Sequence, residues 1–98
     1  MAGLLNIRRY SISVPAQSSI DSITSLRGLI LLSRSGTDAR CIIANLHPSL
    51  KLKEVAMHDN YSLNGGDKPC DIYKTNSYIS VKNNTDNDFT VYIAIYVI

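Results

Sequence analysis

Hydrophobic and polar positions alternate along this chain in short runs, and the last run has no polar side at all. Phe89, Val91, Ile93, Ile95 and Val97 interleave with Thr90, Tyr92, Ala94, Tyr96 and Ile98. Successive side chains of a strand point to opposite sides, so one set lines a core while the other makes a second, mainly apolar surface. A small domain keeps such a surface from water, and covering it takes a further layer of the same chain or another copy. Tyr92, Ala94, Tyr96 and Ile98 are therefore the candidate contact between copies.

The same period of two recurs upstream. Tyr10, Ile12 and Val14 alternate with Arg9, Ser11 and Ser13, a strand with one buried side that Pro15 stops. Residues 17–25 carry Ile20 and Ile23 among Ser and Thr, which weakens a helix and suits a loop or an irregular strand. Leu29-Ile30-Leu31-Leu32 and Cys41-Ile42-Ile43 flank Ser35-Gly36-Thr37-Asp38, two strands of one hairpin. After His47-Pro48, the alternation of Leu50-Lys51-Leu52-Lys53 slips by one residue at Val55 and Met57, which predicts a β-bulge near Lys53 and Glu54. Residues 58–69 read as a surface loop turning at Asn64-Gly65. Short strands follow at 71–74 and 78–82, and Asn83-Asn84-Thr85-Asp86-Asn87-Asp88 is the sharpest turn signal before the final strand.

About seven short strands with no convincing amphipathic helix predict an all-β fold, a small antiparallel, jelly-roll-like β-sandwich. The 98 residues make a single domain, with 1–6 a flexible start. Trp is absent and Phe occurs once against six Tyr, so the core is aliphatic and the aromatic surface is of the kind that tolerates a wet end.

Charge changes this picture little. The net value is +2, divided as +5 over residues 1–53 and −3 over residues 54–98, an asymmetry that complementary contacts between copies can use. It is too weak for nucleic acid, although Arg8, Arg9, Arg34 and Arg40 beside Tyr10 are the positions such a groove would use. Arg8 and Arg9 interrupt the start before an apolar run develops, so no secretory leader is expected. No apolar run nears the roughly 20 residues that a bilayer requires. Cys41 and Cys70 are expected to be free thiols.

The search for chemistry finds no catalytic, cofactor or metal constellation. His47 and His58 lack further ligands at metal spacing, and Gly65-Gly66 lacks the Lys-Ser or Lys-Thr and the helix of a phosphate loop. The protein is therefore expected not to be an enzyme and to need no cofactor. Asn60, Tyr61, Asn64 and Asp67 form a different combination, an aromatic ring beside amides and a carboxylate, which is what a sugar-contacting loop uses.

The layout as a whole resembles a known group. A Ser-rich segment leads to Leu26-Arg27-Gly28-Leu29-Ile30-Leu31-Leu32 and a small-residue hairpin. Later, Tyr78-Ile79-Ser80-Val81-Lys82-Asn83-Asn84-Thr85 runs through a polar turn into Phe89-Thr90-Val91-Tyr92-Ile93-Ala94-Ile95. This strand rhythm, over residues 7–98, resembles bacteriophage tail-fibre heads and related virion accessory β-sandwich proteins. The resemblance implies a non-enzymatic virion component, a symmetric homo-oligomer with a trimer favoured, located in the virion and contacting other virion proteins or host surface glycans. The alternative is a soluble phage-encoded inhibitor or adaptor that binds a host protein or small ligand in the host cytoplasm.

Overall fold

The computed structural model describes residues 6–97. It is built from strands alone: β1 (Ile7–Val14), β2 (Ser19–Thr24), β3 (Gly28–Arg34), β4 (Arg40–Asn45), β5 (Lys53–Met57), β6 (Tyr61–Leu63), β7 (Cys70–Lys74), β8 (Tyr78–Asn83) and β9 (Phe89–Val97). A five-stranded sheet in the order β1-β9-β3-β4-β5 faces a four-stranded sheet in the order β2-β8-β7-β6. The expected small β-sandwich is the fold. Asn6 is held in place through its carbonyl, which accepts the Val97 N–H at 2.8 Å. The rest of the expected flexible start and Ile98 lie outside the described residues.

The strand rhythm sets the core directly. Val14, Ile30, Leu32, Ile43, Ile72, Ile79, Val81, Val91 and Ile95 are buried between the sheets, each on the side that its alternation assigns. The β3–β4 hairpin pairs as expected, with Ile30 opposite Ile43 and Leu32 opposite Cys41. The phase slip before Met57 is a bulge: Ile42 pairs with Ala56 and Ile43 with Glu54, so Val55 is the extra residue.

One segment takes an expected form and another departs from expectation. Residues 19–24 form an irregular strand whose register breaks at Ser22, where the Ser22 hydroxyl donates to the Ile79 carbonyl at 2.5 Å. Residues 61–63 are not loop. They form β6, which runs parallel to β7, pairing Tyr61 with Cys70 and Leu63 with Ile72, so one sheet is mixed. Three residues between turn signals are too few to show a period.

The chain crosses between sheets at both ends of the sandwich, and a buried asparagine ties each end. Asn83 donates from Nδ2 to the Val14 and Asn87 carbonyls at 3.0 and 2.8 Å, while its Oδ1 accepts the Thr85 N–H and hydroxyl. The β1–β2 and β8–β9 connections thus run side by side. At the other end Asn45 Nδ2 donates to the Leu26 carbonyl at 2.7 Å and to Ser25 Oγ at 3.1 Å. Lys74 Nζ reaches from β7 to Asn45 Oδ1 at 3.0 Å and the His47 carbonyl at 2.8 Å, and also to the Leu50 carbonyl. Buried polar groups that are fully paired rigidify such junctions. Gly28, where β3 begins, has φ +150°, and a Cβ there would lie 1.9 Å from the Tyr96 carbonyl oxygen. Only glycine lets β3 approach β9 so closely.

Candidate functional site

The outer face of the five-stranded sheet is where the apolar side of the last strand emerges. Register places three rows across it. Arg9, Ala94, Leu31, Ile42 and Ala56 form the middle row; Ser11, Tyr92, Ser33 and Arg40 lie on one side of it, and Ile7, Tyr96, Leu29, Ala44 and Lys53 on the other. β9 and β3 are central, so their outer side chains have neighbours on both flanks, and backbone pairing alone keeps them in line.

This surface is apolar and wet at once. Leu29 is 42 % exposed, Leu31 37 %, Tyr92 48 % and Tyr96 37 %. A shallow groove of about 510 Å³ runs over Leu31, Ile42 and Ala94 between the two tyrosines, with Arg9 and Arg40 on its margin. Ala94 is the low point because its neighbours along β9 on the same side are both tyrosines. The three rows contain Arg9, Arg40 and Lys53 and no carboxylate.

Of the residues expected at a contact between copies, Tyr92, Ala94 and Tyr96 do share this face, while Ile98 lies outside the described residues. Leu29, Leu31 and Ile42 are the members that sequence reasoning missed. Leu29-Ile30-Leu31-Leu32 is unbroken apolar sequence, and a run of that kind signals burial on both sides; here nothing within the described chain covers the Leu29 and Leu31 side.

The proposed sugar loop does not assemble. Tyr61 is 2 % exposed and points into the core, where its hydroxyl donates to the Ala39 carbonyl at 2.5 Å. It presents no ring to a ligand, a correction that follows from its place on β6, where it faces inward beside Cys70. Asn60 Oδ1 instead accepts from Arg34 Nη2 at 3.2 Å. Asn64, at φ +58°, donates from Nδ2 to the Leu52 carbonyl at 3.2 Å, and Asp67 is exposed. Asn64 does border an open groove of about 630 Å³ on the four-stranded sheet, where the ring is Tyr73 and the cations are Lys51, Lys74 and Lys82.

The arginines also part company. Arg34 turns back over Phe89, its guanidinium 5.0 Å from the ring centroid, whereas Arg9 and Arg40 stay on the outer face. Arg9 and Arg40 share the outer groove with Tyr10, but Arg8 and Arg34 do not join them, so the four arginines do not line one groove.

Neither thiol is a nucleophile in waiting. Cys41 and Cys70 are free and buried, and burial pushes each up to about 12. Burial, with Cys41 and Cys70 nearby, likewise raises the Tyr61 phenol to about 12. A protonated, inaccessible thiol is inert at neutral pH. Among the described residues no group of three or more His, Cys, Asp or Glu side chains is placed to hold a metal ion. Nor, among the described residues, is any helix long and apolar enough to cross a membrane.

No family model, curated protein or solved structure matches this chain.

Proposed function

We propose that the protein is a non-enzymatic structural component of a virion that assembles with copies of itself through the outer face of its five-stranded sheet. The observation that carries this reading is the exposed apolar field of Leu29, Leu31, Tyr92 and Tyr96 around Ala94. Contiguous apolar surface with a polar margin is characteristic of protein contacts, and tyrosine suits them because one end tolerates water.

Charge favours a particular symmetry. Arg9, Arg40 and Lys53 would confront the same three cations in a face-to-face pair. The face therefore meets a different surface of its neighbour, and exposed Asp59, Asp67, Asp86 and Asp88 offer the opposite sign. Contacts between unlike surfaces close into a ring where the rotation between neighbours closes, and the trimer is the smallest such ring. Such a ring fits the virion-protein resemblance.

Leu31→Asp tests the contact, because Leu31 lies between Ala94 and Ile42 and a carboxylate buried there without a partner costs several kcal/mol. In dilute solution, light scattering with circular dichroism is expected to find a trimer for the unmodified protein and folded monomers for the variant. A monomer at micromolar concentration for the unmodified protein defeats the reading. Mass spectrometry of purified virions separates the structural component, present in particles, from a soluble adaptor, absent from them.

A further inference from the structure

Four strands end the two sheets, and they are not equally protected. β5 is broken by the bulge at Val55 and carries Lys53 and Glu54. β2 is broken at Ser22, and β6 has only three residues. Bulges, charges and short length are the usual devices that keep a sheet edge from pairing with another chain. β1 is neither short nor bulged, and its charges, Arg8 and Arg9, are confined to its first half. It is eight residues long, pairs with β9 without a register break from Ile7 to Val14, and contains no proline.

The hydrogen-bond phase of β1 follows from two observations. The Val97 N–H donates to the Asn6 carbonyl at 2.8 Å, so residues 6 and 97 form a hydrogen-bonded pair. By alternation Arg8, Tyr10, Ile12 and Val14 also spend their backbone groups on β9. On the opposite side of β9 the Ser35 N–H donates to the Thr90 carbonyl at 2.8 Å, which is the same phase read from β3. The N–H and C=O groups of Ile7, Arg9, Ser11 and Ser13 therefore point away from the sheet, and none has a partner among the described residues.

We propose that β1 pairs antiparallel with β1 of a second copy about a two-fold axis at Tyr10, joining two five-stranded sheets into one. The register is chosen by chemistry. Centred on Tyr10, Ile7 meets Ser13 of the second copy and Arg9 meets Ser11 of the second copy, so every outward backbone group finds a partner. Moving the centre to Ser11 sets Ile7 opposite Pro15, which has no N–H to give. Moving it to Arg9 sets two arginines directly opposite one another, which destabilises a strand pair. Side chains at the seam are no obstacle on the outer face, where Ser11 and Ser13 are small. On the inner face the partly buried Tyr10, already packed against the core, meets its own mate.

This contact uses an edge and is independent of the face contact proposed above. Its test is amide hydrogen exchange along β1, compared between dilute and concentrated unmodified protein, with oligomer size followed by light scattering. The amides of Arg8, Tyr10, Ile12 and Val14 are expected to be protected at every concentration. Those of Ile7, Arg9, Ser11 and Ser13 gain protection only as the two-fold pair forms. Free exchange of the second set in concentrated protein overturns the proposal, and so does protection that does not depend on concentration. Ser11→Pro removes one outward N–H from each copy and leaves the β1–β9 ladder whole, a position where a strand tolerates proline. It is expected to weaken pairing about tenfold or more while the inward amides stay protected. Undiminished pairing by a folded variant overturns the proposal; if the variant does not fold, exchange in the unmodified protein decides. Leu31→Asp should leave the edge protection of concentrated protein intact, so that failure of the face contact and failure of the edge contact are read separately.

Discussion

The two outer faces of the sandwich are made by the same alternation and have opposite characters. On the four-stranded sheet the outward positions carry their own partners: Ser80 Oγ donates to Asp21 Oδ1 at 2.7 Å, and Ser62 Oγ to Asp71 Oδ1 at 2.8 Å. Asp71 also accepts the Gly66 N–H on Oδ1 at 2.8 Å and the Gly65 N–H on Oδ2 at 3.0 Å. That carboxylate is 1 % exposed and shapes the turn after β6. On the five-stranded sheet the outward positions are mainly Leu, Ile, Ala and Tyr, with Ser11, Ser33 and three cations around them, and no part of the described chain covers them. The first face finishes itself within one chain. The second is left open by the described chain, so the polar side serves the fold and, on the proposed function, the apolar side serves assembly.

Substitutions can break this division. The largest effect belongs to the residue directly behind the polar face. Tyr61→Ala removes a buried ring and is expected to cost about 4 kcal/mol, measured by urea unfolding; a cost under about 1 kcal/mol would mean that the ring is not core. Next is Asp71→Ala, which strands the Gly65 and Gly66 N–H groups. It is expected to destabilise the fold by about 2–3 kcal/mol and to leave oligomer size unchanged in light scattering. The smallest folding effect lies on the apolar face. Leu31→Ser should change the stability of the isolated subunit by no more than about 0.5 kcal/mol and yet shift the assembly toward monomers. A Leu31→Ser chain that unfolds, or an Asp71→Ala chain that dissociates while fully stable, would erase the distinction between the two faces.

Much of the fold was legible before any coordinates. Val91, Ile93 and Ile95 were identifiable as core and Tyr92, Ala94 and Tyr96 as the opposite side, because a period of two admits one assignment once a core exists. The slip between Leu52 and Met57 announced its bulge, and the Asn-rich 83–88 segment announced its turn. Tyr61 was misread for an equally physical reason. Its neighbours Asp59, Asn60, Ser62 and Asn64 are polar, and a strand of three residues gives no period from which to see that one ring among them points inward.

The sequence by itself determined an all-β chain, the sidedness of its longer strands and the apolar character of both sides of β9, since these rest on local alternation and turn chemistry. Tertiary structure alone decided which strands became neighbours. It placed Leu29, Leu31 and Ile42 beside Ala94, brought Asn83 and Asn45 to the sheet crossings, and left β1 at an edge with its odd-numbered backbone groups unpaired. Those outcomes depend on contacts between residues far apart in the chain, and a pattern read along one strand carries no information about which strand will lie beside it.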